Sequence, residues 1–510
     1  MKIKSFFKAA SLTAAMLTSF TLLAGAELAL DFNVESGTEQ ITATVGDEAV
    51  MKNDASAKFT LELPESFMEK AFPDGQKPSS FTFRPAEDKS DSASLFSVYF
   101  VGDGTEESPY LISNADDLDR FSSLINSDFR GEYVGAHYAL TDDIDLGGID
   151  WVPAGYYSDE TKYLYTFQGV FDGQGHSISN FVIKSNTAYD GLFGLIYNGS
   201  VKNLTVSNAR IQIKTSSAIY AGALAGRVLA LNGNQTVIEN CHAENAEINI
   251  ESTQYSVYAG GLVGYLHASL GASIKLSGCS SEADLIGYQS DSYVSPGKDT
   301  RFNVTLGGLA GYVGATGENS TIDISTSYSL SHINGKSDVL RSASAGGNDN
   351  VKAGGLLGYF GSEKDAVITL RNCYASGGVL AESRSDSFAG GLLGYLIAAS
   401  SASTVENCYS NANVYASSSV RTAYLGGFTS IAGVLDSTDL VIHNCYAAGN
   451  VIGFESNITE GGKFTSYALE QTSASQTVNS KIKFSGCFTL KDSLLYCNKP
   501  YTPETEIDHE

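Results

Sequence analysis

The chain is poor in basic residues. Its 510 residues hold 32 Lys and Arg against 57 Asp and Glu, a formal net charge of −25. Nucleic acid and anionic lipid are bound through basic patches, so those partner classes are set aside. Solubility in crowded or salty surroundings, and bound cations, remain compatible with the charge. Beyond residue 26 no stretch is long and apolar enough to span a bilayer. His-Glu-x-x-His, Gly-x-Ser-x-Gly and a phosphate-binding glycine loop are all missing, which leaves the common zinc-peptidase, serine-hydrolase and P-loop chemistries without support. No sorting pentapeptide or translocator barrel is visible, and the lone tryptophan, Trp151, is expected in core or cap.

The first residues read as an export signal. Lys2, Lys4 and Lys8 precede a mostly apolar run at 9–23, and Ala24-Gly25-Ala26 has the small-x-small cleavage pattern. Cleavage is expected after Ala26. A lipoprotein signal would need Cys where Ala26 stands. Loss of this leader, with its three lysines and no acid, takes the charge from −25 to −28. The mature chain is expected outside the cytoplasm, secreted or at the cell surface.

What the sequence has in abundance is glycine, 52 residues, much of it in a repeat. "AGGLLGY" occurs at 353–359 and again at 389–395. Related copies read Gly-Leu-Phe-Gly at 191–194, Gly-Ala-Leu-Ala-Gly at 222–226, Gly-Leu-Val-Gly at 261–264 and Gly-Leu-Ala-Gly at 308–311. A degenerate copy stands at 427–430 and a weaker one at 461–466. After each comes apolar-x-Asn/Gly-Cys, ending at Cys241, Cys279, Cys373, Cys408, Cys445 and Cys487, with Ser327 in the Cys place of one unit. Six residues later stands an apolar residue, Leu285, Ile333, Val379, Val414 or Val451; the first unit is one residue longer and has Ile248.

Each landmark is a short run rich in Val, Ile, Leu and Tyr bounded by Gly, Asn or Ser, which describes strands. Three such strands per turn, stacked on those of the next turn, predict an all-β fold: a right-handed parallel β-helix of about eight or more coils. Coils about 4.8 Å apart place like residues over like. Leu262, Leu309, Leu356 and Leu392 then form one inner column. Asn240, Asn372, Asn407 and Asn444, alternating with Gly278 and Gly486, mark a left-handed corner, because Asn and Gly best tolerate positive φ. Cys373, Cys408 and Cys445, with their counterparts, become buried small groups. Stacked side chains point the same way and are poorly placed to cross-link, so these thiols are expected free. Cys487 and Cys497, at the C-terminal end, are the pair expected to be able to close a bridge. Tyr265, Tyr312, Tyr359 and Tyr395 form one aromatic file and Tyr374, Tyr409 and Tyr446 another; they serve as stacked ladders or as platforms for sugar rings.

The Gly-Leu-apolar-Gly units, each followed by an Asn-Cys-Tyr strand, resemble the GLUG-motif repeats of bacterial surface and secreted proteins. "GDGTEESPYLISNADDLDRFSSLI" at 102–125, "YALTDDIDL" at 138–146 and "FQGVFDGQGHSISNFVI" at 167–183 resemble the lead-in to such arrays. The resemblance covers about residues 100–490. It implies an adhesin-like surface protein and carries no catalytic residue. The copy at 427–430 departs from the pattern, which predicts a loosening coil. A β-helix exposes core and strand edges at its open ends. Residues 114–126, with Leu118, Phe121, Leu124 and Ile125 on one face and a cap at 113–116, are read as an amphipathic helix plugging the N-terminal mouth. The organisation expected is a leader at 1–26, a small β-rich or partly disordered segment at 27–99, lead-in and cap at 100–190, repeats at 191–490 and a tail at 491–510.

Candidates for chemistry are few. Asp142, Asp143, Asp145 and Asp150 could hold Ca2+ or act as acid and base, but a strand-and-turn role suits them better. His176 follows a tight corner at 172–175. Otherwise no cofactor is expected. Two long inter-strand loops, at 288–305 and 334–352, occupy the same place in consecutive units and should emerge side by side. They carry Tyr288, Tyr293, Lys298, Asp299, Arg301, Lys336, Arg341, Asn348 and Asp349, the candidate binding residues. The reading is an exported binding or scaffold protein that contacts glycans or cell-surface proteins. A polysaccharide-cleaving lyase or hydrolase and a structural surface or matrix component are the alternatives. Oligomeric state is left open.

Overall fold

The structure is a computed structural model. It describes residues 16–22, 26–34, 41–45, 48–53 and 59–61, then 100–500 with 507–509, apart from 129–130, 185–187, 291–302, 340–349, 400–402, 436–437, 455–457, 471–480, 498 and 501–506. The chain divides into Met1–Tyr99 and Phe100–Glu510. In the first unit five strands form an antiparallel sheet in sequence order. Met16–Leu22, inside the expected leader, pairs with Ala26–Val34. Of the alternating runs in this unit, 41–45 and part of 58–63 are strands; 80–83 lies outside the described residues.

The second unit is a parallel β-helix. Its strands fall into sheets of 27, 9 and 8 strands among the described residues, and consecutive coils pair parallel and in register. Val257–Gly260 lies on Asn303–Gly307, Val263–Ser269 on Ala310–Thr316, and Ser273–Ser277 on Thr321–Ser325. Ile248, Leu285, Ile333, Val379, Val414 and Val451 then form one buried column. The extra residue after Cys241 is absorbed as a register shift between Ala243 and Ala246, where Asn245 takes φ 51°.

The glycine motif is the sharp turn between the nine- and eight-stranded sheets. Its glycines are required by close approach: a Cβ at Gly354 would sit 1.9 Å from the Leu357 carbonyl oxygen, and one at Gly355 2.0 Å from that of Gly391. The leucine of the motif turns inward. Leu262, Leu309, Leu356 and Leu392 are fully buried, joined by backbone hydrogen bonds of 3.0, 2.8 and 2.9 Å, and the column continues to Phe428 and Phe464. Those two rings stack at 4.7 Å and 7°. The expected loosening at 427–430 does not occur. Phe replaces Leu in the column, the Ser430 hydroxyl donates to the Gly394 carbonyl, and the Gly427 N–H reaches the Gly462 carbonyl at 3.2 Å.

The corner before each cysteine is left-handed. Asn203, Asn240, Asn372, Asn407 and Asn444 have φ between 51° and 55°, with Gly278 at 65° and Gly486 at 59°. Asn240 Nδ2 donates to Asn203 Oδ1 at 3.2 Å and Asn444 to Asn407 at 3.3 Å. Where the Asn below turns its Oδ1 towards the next coil, Gly follows for a steric reason: a Cβ on Gly278 would lie 2.4 Å from Asn240 Oδ1, and one on Gly486 2.5 Å from Asn444 Oδ1. A second corner, at Asn180, Asn208 and Asn245, follows the same rule, with Asn208 Nδ2 on Asn180 Oδ1 at 3.0 Å. In the Ser327 unit the corner falls on Thr326, at φ 48°.

Six cysteines stack behind the first corner, buried to within 1%. Each Sγ faces a carbonyl of the preceding coil, as Cys408 faces Leu370 O at 3.8 Å. Burial pushes the Cys241 and Cys408 thiols up. The bridge between Cys487 and Cys497 is not formed, since both are free. Cys487 belongs to the column, its Sγ 3.4 Å from Ile442 O, whereas Cys497 turns to Gly461 O of the nine-stranded sheet at 3.6 Å.

The cap is a helix, Ala115–Ile125, whose N-cap is Asn114 rather than Ser113. Asn114 Oδ1 accepts from the Asp117 N–H at 3.0 Å, and Asp117 Oδ2 accepts from the Ser113 N–H at 3.1 Å. Leu118, Phe121 and Ile125 are fully buried. Phe121 meets Tyr138, Phe171 and Phe193 at ring distances of 4.7, 5.4 and 5.8 Å, which closes the apolar end. Trp151 is buried, its indole N–H on Leu192 O at 3.0 Å.

Two measurements check this packing. A β-branched residue at left-handed φ costs about 1–2 kcal/mol, so Thr326→Asn is expected to raise the denaturation midpoint; a lower midpoint contradicts the corner. Native protein should expose Cys497 alone to a thiol reagent and release all seven thiols when unfolded without reductant; fewer than seven would mean a bridge.

Candidate functional site

Strand alternation places Asp284, Ile286 and Tyr288 of Ser280–Gln289 on the outer face, with Leu285 and Gln289 inside. Register stacks that outer row on His332, Asn334 and Lys336, then on Gly378, Leu380 and Glu382, then on Asn413, Tyr415 and Ser417. Gly378 has no side chain between His332 and Asn413. The gap opens a shallow groove of about 370 Å³ lined by Asp284, Ile286, His332, Asn334, Leu380 and Tyr415. Its walls are apolar and aromatic, with a polar rim. His332 Nδ1 lies 3.5 Å from Asp284 Oδ1, with the two side chains 72% and 75% exposed, so water screens the pair.

The long loops spring from the ends of the same strands. Their bases are adjacent: Gln289 pairs with Ser337, Asn303 pairs with Asn350, and the Asp338 N–H donates to Gln289 O at 3.0 Å. They are shorter than the sequence reading drew them. Tyr288 and Lys336 are strand residues, side by side in the ladder, because pairing with the next coil carries the strands on to Gln289 and Ser337. Tyr288 Oη donates to Asp338 Oδ2 at 2.5 Å, and Lys336 is exposed. Tyr293, Lys298, Asp299, Arg301, Arg341, Asn348 and Asp349 lie outside the described residues.

The tyrosine files use their faces on one another. Tyr265, Tyr312, Tyr359 and Tyr395 follow at 4.4, 4.6 and 5.9 Å, within 6° of parallel. The other file begins one coil earlier than expected, with Tyr328, Tyr374 and Tyr409 at 4.8 Å spacing and Tyr446 in register beyond. No sugar ring fits between faces so spaced, which favours the ladder role. Burial pushes the Tyr312 and Tyr359 phenols up.

The acidic residues of the lead-in are structural. Asp145 Oδ1 takes the Asn180 amide at 2.8 Å and Asp172 Oδ1 the Asn203 amide at 3.0 Å, so each heads one asparagine ladder. Asp143 accepts from the Ser177 N–H at 2.8 Å and lies 3.4 Å from His176 Nδ1. Asp150 accepts from the Lys184 N–H at 3.2 Å, and Asp142 from the Thr141 hydroxyl at 2.9 Å. Among the described residues no three His, Cys, Asp or Glu side chains are grouped to hold a metal ion. Elsewhere carboxylates pair with cations one coil away, as Glu247 with Arg210 at 3.5 Å and Glu251 with Lys214 at 2.9 Å. The groove itself holds one carboxylate, Asp284, whereas glycoside cleavage uses two across the bond. The arrangement can bind and has no described pair for acid–base chemistry.

The fold and this surface define a class: a β-helical scaffold whose outer face carries a shallow groove. No family model matches the chain. Two curated proteins are similar to it over part of its length. One is described as a "Putative Gly-rich membrane protein", from Evansella cellulosilytica, 36% identical over 156 residues, which are 29% of this chain and 16% of that protein. The other is halomucin of Haloquadratum walsbyi, 31% identical over 159 residues, 29% of this chain and 2% of that protein. The chain thus spans a small part of either relative. A crystal structure described as "a putative immunoglobulin A1 protease from Bacteroides ovatus" aligns with a TM-score of 0.31 and 16% identity, over 79% of this chain and 82% of that one. No helix among the described residues is long and apolar enough to cross a membrane.

The ladder heads set a pH dependence. The Asn180 amide and the Gly147 N–H hold the Asp145 carboxyl below its usual value. Burial pushes Asp172 up, but Asn203, the Gln174 N–H and Lys202 together outweigh it and leave that carboxyl low as well. Carboxyls depressed in the folded state stabilise it above their unfolded value of about 3.9 and lose that contribution as pH falls through the folded value. The melting temperature should therefore drop below about pH 4, and Asp172→Asn should flatten the drop; an unchanged acid limb in the variant would contradict this assignment.

Proposed function

We propose that the chain is an exported, adhesin-like GLUG-type β-helix that binds a glycan or cell-surface protein with the groove at 284–286, 332–334, 378–380 and 415 and the two loops beside it. One observation carries this reading: the exposed Ile286, the half-buried Leu380 and Tyr415 and the notch at Gly378 share the outer face of four consecutive coils, and the two longest insertions of the array leave the first two of these coils. Rigid strands that present side chains beneath variable loops are the usual way a repeat scaffold builds a binding face. The names of the two relatives, a Gly-rich membrane protein and a halomucin, are in keeping with a place at the cell exterior. On this reading the leader is removed after Ala26, and the protein recovered outside the cell begins at Glu27.

The test is a deletion confined to 340–349, since 334–337 and 350–352 belong to paired strands. The variant is expected to keep the β-sheet circular dichroism of the wild type and to lose binding on a glycan and surface-protein array. Tyr415→Ala, which removes a wall of the groove, should weaken the same hits about tenfold. Hits that survive both changes would overturn the assignment of the site.

A further inference from the structure

A second surface stands apart from that groove and does not depend on it. Where the nine- and eight-stranded sheets meet at the glycine turn, outward tyrosines of the two sheets touch edge to face. Tyr220 and Tyr258 each lie 5.4 Å from Tyr265, at 88° and 83°. Residues on the outer faces of two sheets can touch only across a re-entrant corner. At the N-terminal end of that corner, on strand Ala225–Ala230, is Arg227, whose guanidinium lies 5.0 Å from the Tyr265 ring centre, 5.2 Å from Tyr220 and 5.9 Å from Tyr189. One coil on, His267 follows Tyr265 in the same outer row.

The corner contains a cation that no carboxylate among the described residues pairs with. Lys202, Arg210, Lys214, Lys275, Arg371, Arg421 and Lys483 each have a carboxylate within 3.6 Å. Among the described residues Arg227 has none; its partners are aromatic rings. Arg227 Nε and His267 Nδ1 are both buried without a hydrogen-bond partner, which is costly for groups shut away from water. Burial, with Arg227 adding to it, pushes the His267 imidazole down to about 4, so at neutral pH that imidazole is uncharged and Arg227 carries the positive charge. Burial also pushes the Tyr220 phenol up to about 12 and raises Tyr258 and Tyr265, leaving these hydroxyls protonated and able to donate. In a chain of net charge −25, a cation so kept from carboxylates is complementary to an anion.

We propose that this corner is a binding site for an acidic sugar residue. Its carboxylate or sulfate accepts hydrogen bonds from the Arg227 guanidinium, whose planar fork suits such groups. The phenol hydroxyls meet the sugar hydroxyls, and the ring edges pack against its C–H face.

Titration calorimetry of the full chain with a galacturonate tetramer, its methyl ester and a heparin tetrasaccharide tests this. The wild type is expected to bind one or both of the anionic oligosaccharides, the uronate alone marking carboxylate recognition and the heparin fragment alone marking sulfate. It should bind the ester at least about tenfold more weakly than the free uronate wherever the uronate binds. Arg227→Gln should cost about tenfold or more against the anionic probe that binds. Arg227→Lys, which keeps the charge without the fork and guards against loss of folding, should fall between. Lys275→Gln, which removes a cation outside both sites, should change nothing. Failure of the wild type to bind either anionic probe, equal affinity for ester and acid, or unchanged binding by Arg227→Gln would each overturn the proposal.

Discussion

The second unit rests on one constraint: each side chain lies on its counterpart a coil away, across a parallel hydrogen-bonded ladder. A parallel ladder has no turn partner within one coil, so nothing local holds a coil together. Stability comes from columns. A column tolerates only residues that fit above themselves: leucines that interlock, amides that bond along the axis, thiols small enough to pack behind a corner, and rings that stack. The same demand explains the substitutions. Ser327 enters the thiol column because it is small, and Phe428 and Phe464 replace leucine together, so that ring meets ring.

That constraint also decided what could be read from the residues. The inner leucines, the cysteines and the left-handed asparagines were legible because each recurs through many coils. The helix over the N-terminal mouth was legible from its 3.6-residue pattern and its cap. The corner at Asn180, Asn208 and Asn245 was missed because it runs through few coils and has no cysteine beside it. The copy at 427–430 reads as degenerate because Ser430 stands where the other copies have glycine, yet its hydroxyl finds a carbonyl one coil back. A bridge between Cys487 and Cys497 was suggested by nearness in sequence, but ten residues suffice to carry the chain from one sheet to another. The groove was beyond sequence reading: it arises from the absence of a side chain at Gly378, and only the register shows which residues surround that gap. Arg227 was hidden for the opposite reason. It occurs once, and a search for recurrence passes over single residues.

The division between interior and exterior follows. Inside, every position answers to its neighbours above and below. Outside, a coil can vary without disturbing the stack, provided that its strands keep register. The outer face accordingly holds what does not repeat: the notch at Gly378, the Asp284–His332 pair, the two long loops and the lone arginine among tyrosines. Several carboxylates on this face, Glu239, Glu247, Glu251, Asp323 and Asp439 among them, pair with a cation of an adjacent coil.

The central claim is the stack itself, and electron–electron distance measurement reads it directly. Nitroxide labels at Asn249 paired in turn with labels at Leu380, Tyr415 and Ile452, outward positions of one column, should give mean distances that grow by about 4.8 Å per coil, although the last pair is some two hundred residues apart in sequence. Distances that do not rise in such steps, or a broad spread for every pair, would contradict the solenoid.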